Sequence, residues 1–314
     1  MKIVSTSPSF AKISAKPLTL LKENNIEFVS LSPEISEKEF IQASQDAAGL
    51  IVGFNQLTAA VIERLPQLQI ICKHGVGVDN IDVAYAKQKG IFVTNVPNAN
   101  KHAVADFAFG LLLALARKLP QVDQNVKNGH WQRYFGADVH GKVLGIIGLG
   151  NIGKEVAKRA AGFDMQIYAY SPAPDPVFVS QYHINVVGLD ELLRISDFVT
   201  IHTALLPATK NLLDLEKFKL MKPTAFLINT ARGNIIVEKD LQIALKNHLI
   251  AGAALDVFAT EPTHDQALLS QENLIATAHI AGYTPDALNQ ISLKCVQNII
   301  AVLIKGTAPE FIVQ

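Results

Sequence analysis

The sequence predicts an α/β protein built on doubly wound parallel sheets, and three observations carry that prediction. Short runs of apolar and β-branched residues alternate with helical stretches, the pattern of parallel strands joined by crossover helices. At 314 residues the chain holds about two domains on the usual size relation. One apolar run, 143–147, leads into glycines at 148, 150 and 153, the spacing G-x-G-x-x-G at the start of a helix.

In the first part of the chain, strands are expected at 2–5, 27–31, 49–52 and 68–73, with helices at 18–23, 37–48 and 59–65. The N-terminus reads as the first of these strands, not as a signal peptide. Residues 1–98 contain no glycine fingerprint and form a separate α/β unit without a nucleotide signature of their own. A helix at 102–117 is apolar on almost every face, which implies burial all round, inside a domain or at a subunit interface. The polar stretch 125–136 holds the only tryptophan, Trp131, and reads as a loop or short helix.

The second unit begins at 143–147, an apolar strand suited to burial on both faces, followed by a helix through 154–161. Further strands are expected at 166–170, 198–202, 226–229, 251–257 and 274–278, and helices at 189–195 and 238–246. A proline-rich loop, 171–176, follows the strand at 166–170. A long helix at 284–304 and a short apolar end at 311–313 close the sequence.

The fingerprint predicts a Rossmann dinucleotide site. Gly148 allows a tight turn, Gly150 lets backbone approach a pyrophosphate, and Gly153 lets the helix pack close to the strand. The helix N-terminus offers free N–H groups and partial positive charge to the phosphates.

Composition narrows the partners. Lys plus Arg and Asp plus Glu both number 28, so no net charge draws the chain to nucleic acid or an anionic membrane. The two cysteines, Cys72 and Cys295, sit in apolar contexts as small buried hydrophobes, not a disulfide framework. The longest apolar run, near 108–116, is too short to span a bilayer. The expectation is a cytoplasmic protein with no metal site.

Three residues stand just past the carboxyl ends of expected strands, where α/β sheets place ligands: Arg232, Glu261 and His279. Singly, each has a bland reading as a surface ion pair or loop residue. Together they form the set that reduction of an α-keto acid needs. A planar guanidinium grips a carboxylate and its neighbouring carbonyl oxygen. An imidazole hands a proton to that oxygen as hydride arrives, and a carboxylate beside it fixes its tautomer.

The sequence resembles the D-2-hydroxyacid dehydrogenase family over nearly its whole length. The blocks that carry the resemblance are Lys73-His-Gly-Val-Gly-Val-Asp-Asn-Ile-Asp82, Val96-Pro-Asn98, Gly148 to Gly153, His202 with Leu206-Pro-Ala-Thr-Lys, Met221-Lys-Pro, Ile228-Asn-Thr-Ala-Arg-Gly233, Ala254-Leu-Asp-Val-Phe258 with Glu261-Pro262, and Ala278-His-Ile-Ala-Gly282. The resemblance implies Arg232, Glu261 and His279 as the catalytic set. It places Gly148, Gly150, Asn151, Ile152, Gly153, Ser171, His202, Thr230 and Asp256 around NAD or NADP, with Asp256 on the nicotinamide carboxamide. It gives the substrate to Phe54, Val76, Gly77 and Arg232, the backbone at Val76 and Gly77 forming an anion nest. The implied architecture is a Rossmann domain, 99–286, inserted into a discontinuous flavodoxin-like substrate domain, 1–98 with 287–314. The crossings would form a hinge, and the helix at 102–117 would lie at a homodimer interface.

Departures refine this. Ser171 stands where the family commonly has an acid for the NAD ribose, yet no Arg or Lys follows within 171–176 to attract a 2′-phosphate, which favours NAD slightly. Gly53-Phe54 replaces the arginine that phosphoglycerate dehydrogenases carry for the substrate phosphate, which favours a small keto acid such as glyoxylate or hydroxypyruvate, unless Lys73 substitutes. No regulatory domain is expected after the last helix. The alternatives are a short-form D-3-phosphoglycerate dehydrogenase and a nucleotide-sensing, corepressor-like binding protein.

Overall fold

The computed structural model describes residues 1–313, which divide into two compact units. The first joins Met1–Asn100 to the chain from Gly282 onward; the second is Lys101–Ala281. The chain therefore changes unit at 100/101 and 281/282, not at 98/99 and 286/287. Asn100 lies against Gly282, where even an added Cβ would come within 3.1 Å of its Nδ2.

The first unit is a parallel sheet of β1 (Lys2–Ser5), β2 (Glu27–Ser30), β3 (Ala47–Val52), β4 (Ile70–Lys73) and β5 (Phe92–Thr94) in the order β2-β1-β3-β4-β5. This is the flavodoxin-like order. The returning helix Pro285–Leu303, capped by Thr284, lays Ile291, Cys295, Val296 and Ile299 into a core with Ile3, Ile51, Ile70 and Cys72. Both cysteines are buried free thiols.

The second unit is a parallel sheet of β6 (Val143–Ile147), β7 (Gln166–Tyr170), β8 (Asn185–Val186), β9 (Phe198–Ile201), β10 (Phe226–Asn229), β11 (Gly252–Leu255) and β12 (Leu274–Ala276). Its order, β12-β11-β10-β9-β6-β7-β8, is the Rossmann order with one further strand, and it reverses direction between β6 and β9. All residues of β9 and β11 are buried, as strands covered on both faces must be. Phe198 stacks on Phe226 with ring centroids 5.5 Å apart.

Several expectations need correction. The helix expected over 37–48 is Glu37–Ser44, started by a capping box of Ser36 and Glu39. Ala47 and Ala48 instead open β3, which lies between β1 and β4 with every residue buried, so pairing and burial override their helix preference. The short strand β5 and the helices Val83–Gln88 and Leu215–Leu220 carry too little periodic signal to be read. Within the single chain the helix Lys101–Ala116 leaves one stripe open. Val104, Ala108, Leu111, Leu112 and Leu115 are buried, while His102, Asp106 and Gly110 form an exposed stripe at four-residue spacing. The stretch at 125–136 begins inside a helix, Leu119–Lys127, and continues as irregular chain with Trp131 and Phe135 exposed.

Truncating Phe198, wholly buried at the centre of the second sheet, should cost about 3–5 kcal/mol. Denaturant unfolding of Phe198→Ala measures this, and an unchanged midpoint would contradict the described packing.

Candidate active site

The glycine turn is fixed by its neighbours. The Gly148 N–H donates to the Tyr170 carbonyl at 2.8 Å and the His202 N–H to that of Ile147 at 2.7 Å. Gly148 has φ +97°, and a Cβ there would sit 2.6 Å from the Thr203 nitrogen. A Cβ on Gly153 would come 2.2 Å from the Gly148 carbonyl oxygen, which is why the helix Asn151–Ala161 can start so close to β6. Gly150 differs: a Cβ there meets nothing within 4 Å. Two glycines thus have reasons inside the protein, and the third faces open space at a helix N-terminus that no side chain caps. Asn151 is exposed and Ile152 half-buried in the first turn of that helix.

Further polar atoms lie at the same strand ends. The Nδ1 of His202, after β9, and the Oγ1 of Thr230, after β10, are buried without a hydrogen-bond partner. Nε2 of His202 pairs with Thr200 Oγ1 at 2.8 Å, and burial lowers its pKa to about 3, so the ring is neutral. Buried polar atoms without partners are costly. An open cradle at Gly150 and two unspent polar atoms past the ends of the neighbouring strands β9 and β10 are what a bound dinucleotide would satisfy, so these residues fit one.

The three chemical side chains come from the loops after β10, β11 and β12. Gly233 is required because a Cβ would lie 1.9 Å from the Phe258 carbonyl carbon. The loop carrying Arg232 is therefore pressed onto the loop carrying Glu261. Glu261 accepts from the Phe258 N–H through Oε1 at 2.9 Å and pairs through Oε2 with Nδ1 of His279 at 2.8 Å. Burial alone would raise the Glu261 carboxyl. The hydrogen bond and charge of His279, the Phe258 N–H and the nearby Arg232 guanidinium outweigh it and hold the group below its ordinary range. Glu261 is thus ionised and can only accept, so Nδ1 of His279 donates and Nε2 is the nitrogen left for chemistry.

Asp256 positions this histidine. It is wholly buried. Its carboxylate accepts from the Thr277 hydroxyl at 2.6 Å, the Ile280 N–H at 2.9 Å and the Ala281 N–H at 2.8 Å, while its carbonyl accepts from the His279 N–H at 2.8 Å. His279 sits in the left-handed region, φ +54°, sparsely populated by non-glycine residues, and these four bonds hold it there. Sequence reading gave Asp256 only the cofactor; a fully buried acid at a strand end was the signal for this second duty.

In the first unit, β3 and β4 carry the residues assigned to substrate. Phe54 is exposed. Val76 and Gly77 follow Gly75, which has φ +152°, and their N–H groups have no hydrogen-bond partner among the described residues. The Val76 carbonyl is tied to Asn95 Nδ2 at 2.7 Å. The buried Lys73 ammonium bonds to the Gly53 carbonyl and to Asn80 Oδ1. Ser171 follows β7, half-buried.

Comparison with known proteins gives this geometry its context. Residues 109–281 match the family model described as D-isomer specific 2-hydroxyacid dehydrogenase, NAD binding domain. The chain belongs to the D-2-hydroxyacid dehydrogenase family. Among its family relatives, the D-3-phosphoglycerate dehydrogenase of Rattus norvegicus is 39% identical over 85% of this chain and 51% of its own length. The glyoxylate reductase of Thermococcus kodakarensis is 37% identical over 90% of this chain and 89% of its own length. The crystal structure of the TT0316 protein from Thermus thermophilus superposes over all of both chains with a TM-score of 0.92 at 32% identity. The chain spans about half the length of the mammalian phosphoglycerate dehydrogenases it matches.

Two outcomes test this geometry. Gly153→Ala should lower the melting temperature far more than Gly150→Ala, whereas Gly150→Ala should weaken NADH binding by fluorescence titration; equal melting losses would contradict it. His202 should make the protein acid-sensitive. Its folded pKa is depressed, so its contribution is complete above the unfolded value of 6.5 and is lost as pH falls toward 3. Within that window stability should fall by up to about 1.4 kcal/mol per pH unit more than in His202→Gln, read from melting curves at several pH values; parallel pH curves would contradict it.

Proposed function

We propose that the protein is an NAD(P)-dependent D-2-hydroxyacid dehydrogenase working as a 2-keto acid reductase on a small acid such as glyoxylate or hydroxypyruvate. The observation that carries this reading is the Glu261–His279 pair, 2.8 Å apart with Arg232 close by, on the same sheet as the open glycine turn. A bound nicotinamide supplies the hydride, held by the 148–153 turn, Ser171, His202, Thr230 and Asp256. Arg232 grips the substrate carboxylate and polarises the keto group. His279 in its imidazolium form, with Nδ1–H held on Glu261, gives its Nε2 proton to the keto oxygen and is left as the neutral Nδ1–H tautomer. Phe54, in place of a cation, favours an unphosphorylated acid.

In this reading the residues up to Asn100, with those from Gly282, form the substrate domain, and Lys101–Ala281 the nucleotide domain. We place the enzyme in the cytoplasm as a homodimer; none of its described helices is long and apolar enough to cross a membrane, and the exposed Trp131 and Phe135 offer apolar surface that a second copy would cover.

A spectrophotometric screen of keto acids with NADH and NADPH tests the reading. Turnover of glyoxylate or hydroxypyruvate is expected, and His279→Ala should lower it by roughly 10²–10⁴-fold. Strong preference for 3-phosphohydroxypyruvate would instead favour the phosphoglycerate dehydrogenase reading. Tight NADH binding without turnover of any acid would favour a nucleotide sensor.

A further inference from the structure

The sequence shows no cation after Ser171 to receive a 2′-phosphate, but the structure brings one from upstream. Lys154, in the first turns of the fingerprint helix, reaches across to the loop after β7, where its ammonium lies 2.7 Å from Oδ2 of Asp175 and 5.3 Å above the Phe178 ring. Doubly wound folds place the ribose of a bound dinucleotide beside this loop, about 20 residues after the glycines. Asp175 has no oxygen to spare: Oδ1 caps the helix Pro176–Gln181 by accepting from the Val177 and Phe178 N–H groups at 3.1 and 3.4 Å. The pair is partly exposed, with 27% of the Lys154 side chain and 44% of that of Asp175 open to solvent, so it stands where an incoming ribose phosphate would meet it.

We propose that Asp175 makes the protein select NADH over NADPH, by neutralising Lys154 and by repelling a 2′-phosphate, and that Lys154 is a latent phosphate site which Asp175 masks. The discrimination that an acid at position 171 would provide is thus supplied four residues later. No part of the discrimination falls to Ser171, whose hydroxyl is neutral. The proposal rests on the dehydrogenase reading above, because it presumes a nicotinamide dinucleotide on the glycine turn.

Asp175→Asn is the informative change. Asn caps a helix as well as Asp does, so the turn is kept while the charge is lost. Fluorescence titration should give a dissociation constant for NADPH at least about tenfold above that for NADH in the unaltered protein, the size of one charge-assisted hydrogen bond. Asp175→Asn should shrink that ratio several-fold, and Asp175→Asn combined with Lys154→Gln should recover the share of it that comes from masking Lys154. Equal affinity for both nucleotides in the unaltered protein, or the same ratio in all three, overturns the proposal while leaving the dehydrogenase reading in place. Failure of both nucleotides to bind overturns the proposal and the dehydrogenase reading together.

Discussion

The buried carboxylate of Asp256 is the constraint on which the chemistry of the second unit depends. An acid at the carboxyl end of the buried strand β11 would carry a heavy desolvation cost unless its oxygens were paired. Here a hydroxyl and two N–H groups from one loop satisfy it. That arrangement bends the loop into the left-handed turn at His279 and sets the imidazole opposite Glu261. Glu261 in turn is held by the backbone of its own loop, and that loop is pressed onto the Arg232 loop through the missing side chain of Gly233. Strand ends, a buried acid and one steric requirement thus fix an acid–base pair on the loops after β11 and β12.

The glycine turn shows the same economy. Gly148 and Gly153 are explained by contacts within the protein, so their spacing alone says little about a ligand. Gly150, whose absent side chain would meet only open space, carries the information that something else comes close there. The unpaired ring nitrogen of His202 and hydroxyl of Thr230 point the same way, since natural proteins rarely leave such atoms unspent.

Much of this was legible in the sequence because it is local. Strand β6, the fingerprint and the helix after it form one continuous run, and Arg232, Glu261 and His279 each follow a strand whose apolar pattern is clear. What stayed hidden was either short or remote. Three-residue β5 has no period to detect. Ala47 and Ala48 favour a helix until their place between β1 and β4 decides otherwise. The exposed stripe of the 101–116 helix passes through Gly110, which no hydrophobicity pattern marks as surface. Lys154 and Asp175 are 21 positions apart, and only the return of the chain along β7 joins them.

The central claim is that His279, held by Glu261, gives its Nε2 proton to the keto oxygen of a small acid while Arg232 grips the acid beside the nicotinamide. A crystal structure of the protein with NADH and oxamate, a non-reacting mimic of a 2-keto acid, tests it most directly. The account predicts Nε2 of His279 at about 2.6–3.2 Å from the oxamate carbonyl oxygen, with the Arg232 guanidinium on the same molecule and the nicotinamide C4 facing its carbonyl carbon. Oxamate bound away from His279, or a nicotinamide ring turned from it, would contradict the account.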